Sequence, residues 1–268
     1  MRARAVTRAA IAVIAVASIA RAQGVDSSRV PKDPHAAQPE RPTVATHAGT
    51  VAPGWVEIET GVERDNLHGA HTFFTPTVLK LGVAPRVQLE LASAFVHLSG
   101  TTPDHSGIGD ASAALKWRAL EHAPVIGDFA VQPSLKLPSG SALNGTGTGT
   151  TDVGLLLISS HDWGDYALDL NAGYTHRSGD GSQAPKDATL WTVSAGGPVY
   201  ESLGWVAEVF GFPGTTGPAG NRGTAAFLTG PTFTVAKWLV LDAGGIIPLT
   251  GPQPHAFYAG LTWNIGKL

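Results

Sequence analysis

From about residue 55 onward the chain is a succession of short segments in which apolar and polar side chains alternate, and this two-residue period limits what it can become. Val87, Leu89, Leu91 and Phe95 share one parity while Arg86, Gln88 and Glu90 share the other. The pattern returns with Phe129, Val131, Leu135 and Leu137 against Asp128, Gln132 and Lys136. It returns again with Tyr166, Leu168, Leu170 and Tyr174 against Asp169, Asn171 and Thr175. Successive side chains of a strand point to opposite faces, so each such segment has one oily and one wet side. Clusters of Gly, Pro, Asp and Ser separate the segments, as expected between strands.

Twelve strands are predicted, over 55–62, 73–82, 86–97, 108–119, 126–137, 151–160, 164–177, 188–198, 203–212, 224–235, 237–248 and 255–265. Connections after the even-numbered ones are tight, as at Gly82–Arg86, Ser160–Gly164 and Val235–Trp238. The stretch from Glu121 to Val125 is somewhat longer. Connections after odd-numbered strands are longer and rich in Gly, Thr and Pro, as at Ser139–Thr150, Ser178–Asp187 and Pro213–Gly223. Short turns on one rim and long loops on the other describe an up-and-down transmembrane barrel, with long loops outside and both termini in the periplasm. A soluble sandwich or lipocalin-like barrel would alternate in the same way. Two features separate the readings. The apolar face recurs with no edge strand marked by Lys or Pro, and Trp55, Trp117, Trp163, Trp205, Trp238 and Trp263 fall near strand ends, where aromatic girdles meet lipid headgroups. The fold class expected is therefore all-β: one antiparallel transmembrane barrel of about twelve strands.

The amino-terminal residues carry Arg2, Arg4 and Arg8, an apolar run from Ala9 to Ala20, and the triplet Ala20-Arg21-Ala22. That is the form of a secretory signal peptide over 1–22, cut between Ala22 and Gln23. The apolar run is too short for a helix crossing a core of about 30 Å. Residues 23–52, with Pro31, Pro34, Pro39 and Pro42, read as a flexible periplasmic leader; a plug folded into the lumen is the alternative. Residues 53–268 form the barrel. The chain has no cysteine, so neither disulfides nor thiolate metal sites hold it. A formal charge of −3 gives no basic face for nucleic acid.

Two stretches resemble the outer-membrane barrel family of transporters associated with phenol meta-cleavage (MetA-pathway) gene clusters. One is Gly107-Ile-Gly-Asp110 continuing through Lys116-Trp117-Arg118. The other is Leu135-Lys-Leu-Pro138-Ser-Gly140 continuing through Gly145-Thr-Gly-Thr-Gly149-Thr-Thr-Asp152-Val-Gly154. The resemblance extends from about Trp55 to Leu268. It implies a bacterial outer-membrane location, outer-membrane lipid as surroundings, and passage of small, hydrophobic or aromatic compounds. The last strand also resembles a barrel-assembly signal, with Tyr258, Gly260, Trp263 and Ile265 at the expected spacing; it departs where Gly266-Lys267-Leu268 replaces the terminal aromatic.

No enzymatic constellation stands out. Gly145–Thr151 lacks the Lys of a phosphate-binding loop. His68 with His71, and His161 with Asp162, lack further ligands, so neither metal nor cofactor is expected. His176 and Ser178 share a strand face, as a base and nucleophile of a lipid acyl hydrolase would, with Asp180 or Glu208 as the orienting acid. Polar positions expected to line the lumen are Glu57, Glu59, Lys80, Arg86, Glu90, Asp110, Lys116, Arg118, Asp128, Lys136, Asp152, Asp169, Glu208 and Asp242. Among them Asp110, Lys116, Arg118, Asp128 and Lys136 suggest a salt-bridge ladder. Phe74, Val78, Val206 and Phe210 would offer a greasy path beside them. The function expected is passive conduction of small molecules. The alternatives are a structural or surface-binding barrel with a closed lumen and, less favoured, the hydrolase.

Overall fold

A computed structural model describes residues 33–67, 69–100 and 103–268. The expected signal peptide and residues 23–32 lie outside the described residues. All the regular elements described are strands: β1 (Trp55–Leu67), β2 (Ala70–Ala84), β3 (Val87–Ser99), β4 (His105–Ile108), β5 (Ala111–Ala123), β6 (Gly127–Leu137), β7 (Asp152–Trp163), β8 (Tyr166–Arg177), β9 (Asp187–Tyr200), β10 (Leu203–Phe212), β11 (Thr224–Ala236), β12 (Leu239–Thr250) and β13 (His255–Lys267). β4 and β5 pair with successive parts of β3 and together make one stave, so thirteen segments give twelve staves. Each stave pairs antiparallel with its neighbours, and β1 pairs with β13 from Trp55↔Lys267 to Asn66↔His255. That last pairing closes the sheet and removes its edges.

The alternation seen in the sequence is the wall itself. In β1 Glu57, Glu59, Glu63 and Asp65 are buried, whereas Val62 of the opposite parity is exposed. Leu79, Leu91, Leu115, Leu135, Leu155 and Val193 likewise face outward. An exposed apolar band around a sheet with all backbone groups paired is what lipid requires. Trp55, Trp117, Trp163, Trp205, Trp238 and Trp263 sit towards the short-turn rim, while the seventh, Trp191, and the exposed Phe73, Tyr174 and Phe257 lie towards the long-loop rim.

One connection differs from the sequence reading. Residues 63–66 and 70–72, expected in a loop, belong to β1 and β2, because Glu63, Asp65 and Thr72 keep their inward parity. A charged run looked like a loop while serving as the wet face of a strand.

The larger difference is the segment before the barrel. The described part takes the course of the alternative, the lumen plug: it enters the short-turn rim, runs up the lumen and returns to Gly54 at the same rim. Asp33 pairs with Lys237 and the His35 ring lies between Trp55 and Trp238 at entry. At exit, Pro53 bridges to Gly82 and the Gly54 amide donates to the Gly82 carbonyl at 2.7 Å. A Cβ at Gly82 would stand 2.1 Å from the Ala52 carbonyl oxygen, so glycine is what lets the returning chain touch the wall. Residues 37–51 are buried throughout.

Candidate functional site in the barrel lumen

The lumen segment has no regular hydrogen bonding of its own, so its buried amides must find partners elsewhere. They find inward side chains of the barrel. The amides of Gln38 and Glu40 donate to the Glu57 and Glu59 carboxylates, at 2.6 and 2.5 Å. Those of Val44 and Ala45 donate to the two oxygens of Glu208, at 2.8 and 2.7 Å. Thr46, Ala48 and Val51 donate to Asn171 Oδ1, Ser160 Oγ and Gln88 Oε1. Polar residues on at least five staves thus substitute for a sheet partner.

Charge holds the same segment. Lys80 Nζ, fully buried on β2, lies 3.0 Å from Glu40, 3.2 Å from Glu57 and 2.8 Å from Glu59. Lys116 on β5 pairs with Glu40 and donates to Thr46 Oγ1 and the His47 carbonyl. Arg41 meets Asp242 through Nε and Nη2, at 3.1 and 3.0 Å. Its guanidinium rests over the paired glycines Gly61 and Gly260, where a Cβ would come within 2.7 and 2.4 Å of it. Apolar contacts complete the grip. Val44 joins Val206, Phe210, Leu228, Ile246 and Tyr258 in one cluster, and Ala48 joins Ala130 and Ile158 in another.

Towards the long-loop rim a second charged group fixes the loop between β6 and β7. Asp110 accepts from the amides of Gly140 and Thr148, at 3.0 and 2.9 Å, and from Lys136 at 2.7 Å. Lys136 also donates to the Thr150 carbonyl, and Arg177 pairs with Asp152 at 3.2 Å. Thr146, Thr148 and Thr150 are buried as a result.

The structure places the sequence-derived lumen positions as follows. Glu57, Glu59, Lys80, Glu90, Lys116, Arg118, Asp128, Lys136, Asp152, Asp169, Glu208 and Asp242 are buried, and the Asp110 side chain is nearly so. Arg86 is not in the lumen. It takes a positive φ of 66° in the turn after β2, stays exposed, and pairs with Glu121, because turn geometry overrides strand parity there. The ladder forms only in part. Lys136 meets Asp110 and Arg118 lies 3.9 Å from Asp128, but Lys116 turns away to Glu40 and Glu90. Phe74, Val206 and Phe210 are buried, and Val78 is half-buried.

Arg177, which sequence reasoning missed, shares the parity of Asp169 and Asn171 on β8, whereas Gln132 was read on the wet face of β6 with Asp128 and Lys136 but not named as a lumen-lining position. Extending the alternation to the end of β8 finds Arg177. Glu40 and Arg41 carried no such signal, since their segment has no period. His176 Nδ1 lies 2.9 Å from Asp187 on the outer face, and Tyr174 also donates to that carboxylate. Neither Asp180 nor Glu208 takes that place: Asp180 accepts from the Ser182 amide within its loop, and Glu208 is in the lumen. Ser178 Oγ accepts from the Thr151 amide at 2.9 Å.

A closed twelve-stave barrel with a lipid-compatible exterior and a charged, occupied lumen defines an outer-membrane channel fold. Solved structures agree. The chain is similar to the COG4313 outer membrane channel from Pseudomonas putida F1, with a TM-score of 0.61, 15% identity, and coverage of 80% of this chain and 96% of that one. It is also similar to the NanC porin, with a TM-score of 0.53, 10% identity, and coverage of 77% and 100%. A comparison with curated proteins gave no match. The family model described as "Putative MetA-pathway of phenol degradation" matches residues 40–263, and the chain belongs to that family. The match begins inside the lumen segment, before the first strand.

Proposed function

We propose that the protein is a passive outer-membrane conduit for small uncharged compounds, hydrophobic or aromatic in character, with residues 37–52 as a plug that narrows its periplasmic half. The observation that carries this reading is how the plug is held. Its grip consists largely of polar bonds from single side chains on many staves, each of which water can replace when the plug moves. A packed apolar core would offer no such exchange. Buried charged side chains number eleven carboxylates, including Glu63 and Asp65 above the plug, against six cations, among the described residues. A lumen with that excess, plug included, favours cations over anions and neutral solutes over anions. The long loops face outward, the short turns and both barrel ends face the periplasm, and the last strand is read by the assembly machinery after signal-peptide removal. No catalytic role is assigned to the barrel.

The test is solute uptake into liposomes holding the full chain or a form lacking residues 38–52. Uncharged aromatic solutes are expected to enter with both, faster without the plug, while aromatic carboxylates lag. No uptake in either form would contradict the conduit. That result would favour the second reading, a structural barrel with a closed lumen, for which the complete burial of residues 37–51 is the supporting observation.

A further inference from the structure

Beside the plug lies a cavity of about 90 Å³, lined by Glu40 and Thr46 of the plug and by wall residues of β2, β3 and β5 to β9. That is several times the ~10–15 Å³ a single water needs. Val78, Ala92, Leu156 and Leu190 supply apolar wall. Two of the lining residues present polar atoms that no protein group satisfies: Arg177 Nη2 and Gln132 Oε1. Both side chains are more than nine-tenths buried, at 0% and 8% exposure. Their other atoms are fixed. Arg177 Nη1 donates to the Pro185 carbonyl at 2.8 Å and Nε faces Asp152, while Gln132 Nε2 donates to Glu90 at 2.9 Å. The Gln132 amide is thereby oriented with its oxygen free. Buried polar atoms are nearly always paired, so an unpaired donor and an unpaired acceptor in one cavity point to something that supplies both.

Register and charge restrict what that is. Arg177 lies level with Asp152 and Lys136, four residues along the wall from Gln132. Gln132 is also two staves away, so the two backbones stand ~13 Å apart along the strands and ~10 Å across them, ~16 Å in all, and the two side chains line the same cavity from opposite ends of that diagonal. Lys136 and Arg177 are already matched by Asp110 and Asp152, and Glu90 lies on the other side, so an anion would add uncompensated charge.

We propose that this cavity is a binding site for uncharged one-ring organic compounds carrying an acceptor oxygen at one end and a hydroxyl at the other. The acceptor meets Arg177 Nη2 and the hydroxyl donates to Gln132 Oε1. The proposal rests on the conduit reading, since the site lies in the path through the lumen.

Calorimetric titration of the full-length protein in detergent at pH 6 tests it, with 4-hydroxyacetophenone, acetophenone and 4-hydroxybenzoate as probes. The hydroxyketone is expected to bind at least tenfold more tightly than either of the others. Gln132→Leu is expected to erase its advantage over acetophenone. Arg177→Lys, which keeps the charge but loses Nη2, is expected to weaken both ketones. An unheated-gel shift confirms that each variant is a closed barrel, and Gln132→Leu decides alone if Arg177→Lys does not assemble. Equal binding of all three probes, no binding, or an unaltered preference in Gln132→Leu would overturn the site. Liposome uptake keeps the two readings apart: binding without uptake removes the conduit and supports the site, whereas uptake without binding removes the site.

Discussion

The two sides of the lumen grip the plug by different means. On β1, β2, β3 and β5 the contacts are ionic and tightly shared: Glu40 lies between Lys80 and Lys116, with Glu57, Glu59 and Glu90 around them. On β10 to β13 Val44 enters an apolar pocket of Val206, Phe210, Leu228, Ile246 and Tyr258, with Glu208 and Asp242 as the polar holds. The physics of failure differs accordingly. Removing one member of a buried charge network strands its partners without solvation, whereas trimming an apolar contact loses only the area and cavity terms of the atoms removed. The ionic wall is therefore brittle and the apolar wall forgiving.

That contrast is open to direct attack. Lys80→Met leaves Glu40, Glu57 and Glu59 facing one another and is expected to have the largest effect, a loss of ~3–5 kcal/mol. It is read as a lower urea midpoint for conversion to the heat-denatured gel form, or as raised conductance if the plug leaves instead. Asp242→Asn weakens a two-point bond to Arg41 without emptying its site, and ~1.5–3 kcal/mol in the same assay is expected. Val44→Ala should lower the midpoint by ~1–3 kcal/mol, and an effect as large as that of Lys80→Met would refute the distinction between the walls. Asp33→Asn comes last. Its carboxyl is held below the usual carboxylate range by the Lys237 hydrogen bond, but the pair lies at the rim within reach of water, so no measurable change in midpoint or conductance is expected.

The wall was legible in the sequence because a barrel strand writes its two environments into alternate positions. Thus Glu57 and Glu59, or Asp169 and Asn171, announce an inward face from parity alone. Parity fails where the backbone leaves strand geometry, as at Arg86, and goes unread where an all-polar run hides it, as from Glu63 to Asn66. The plug was legible only as an alternative, and for a different reason. Its buried amides are satisfied one at a time by side chains 19 to 164 residues distant, such as Glu57 and Glu208, and such bonding leaves no periodic trace. Proline density there signals only that the segment makes no sheet or helix of its own. The cavity is bounded by the plug and by seven strands distant in sequence, so its unpaired atoms on Gln132 and Arg177 follow from the assembled lumen.

Amide hydrogen exchange on the full-length barrel in detergent tests the central claim most directly. The amides of Gln38, Glu40, Val44, Ala45, Thr46, Ala48 and Val51 each donate to a buried barrel side chain. The account predicts exchange slowed by orders of magnitude at these positions, with protection lost from Gln38 and Glu40 first in Lys80→Met. Exchange across residues 37–51 at the rate of an unstructured peptide, while the strands stay protected, would show a leader outside the barrel and contradict the account.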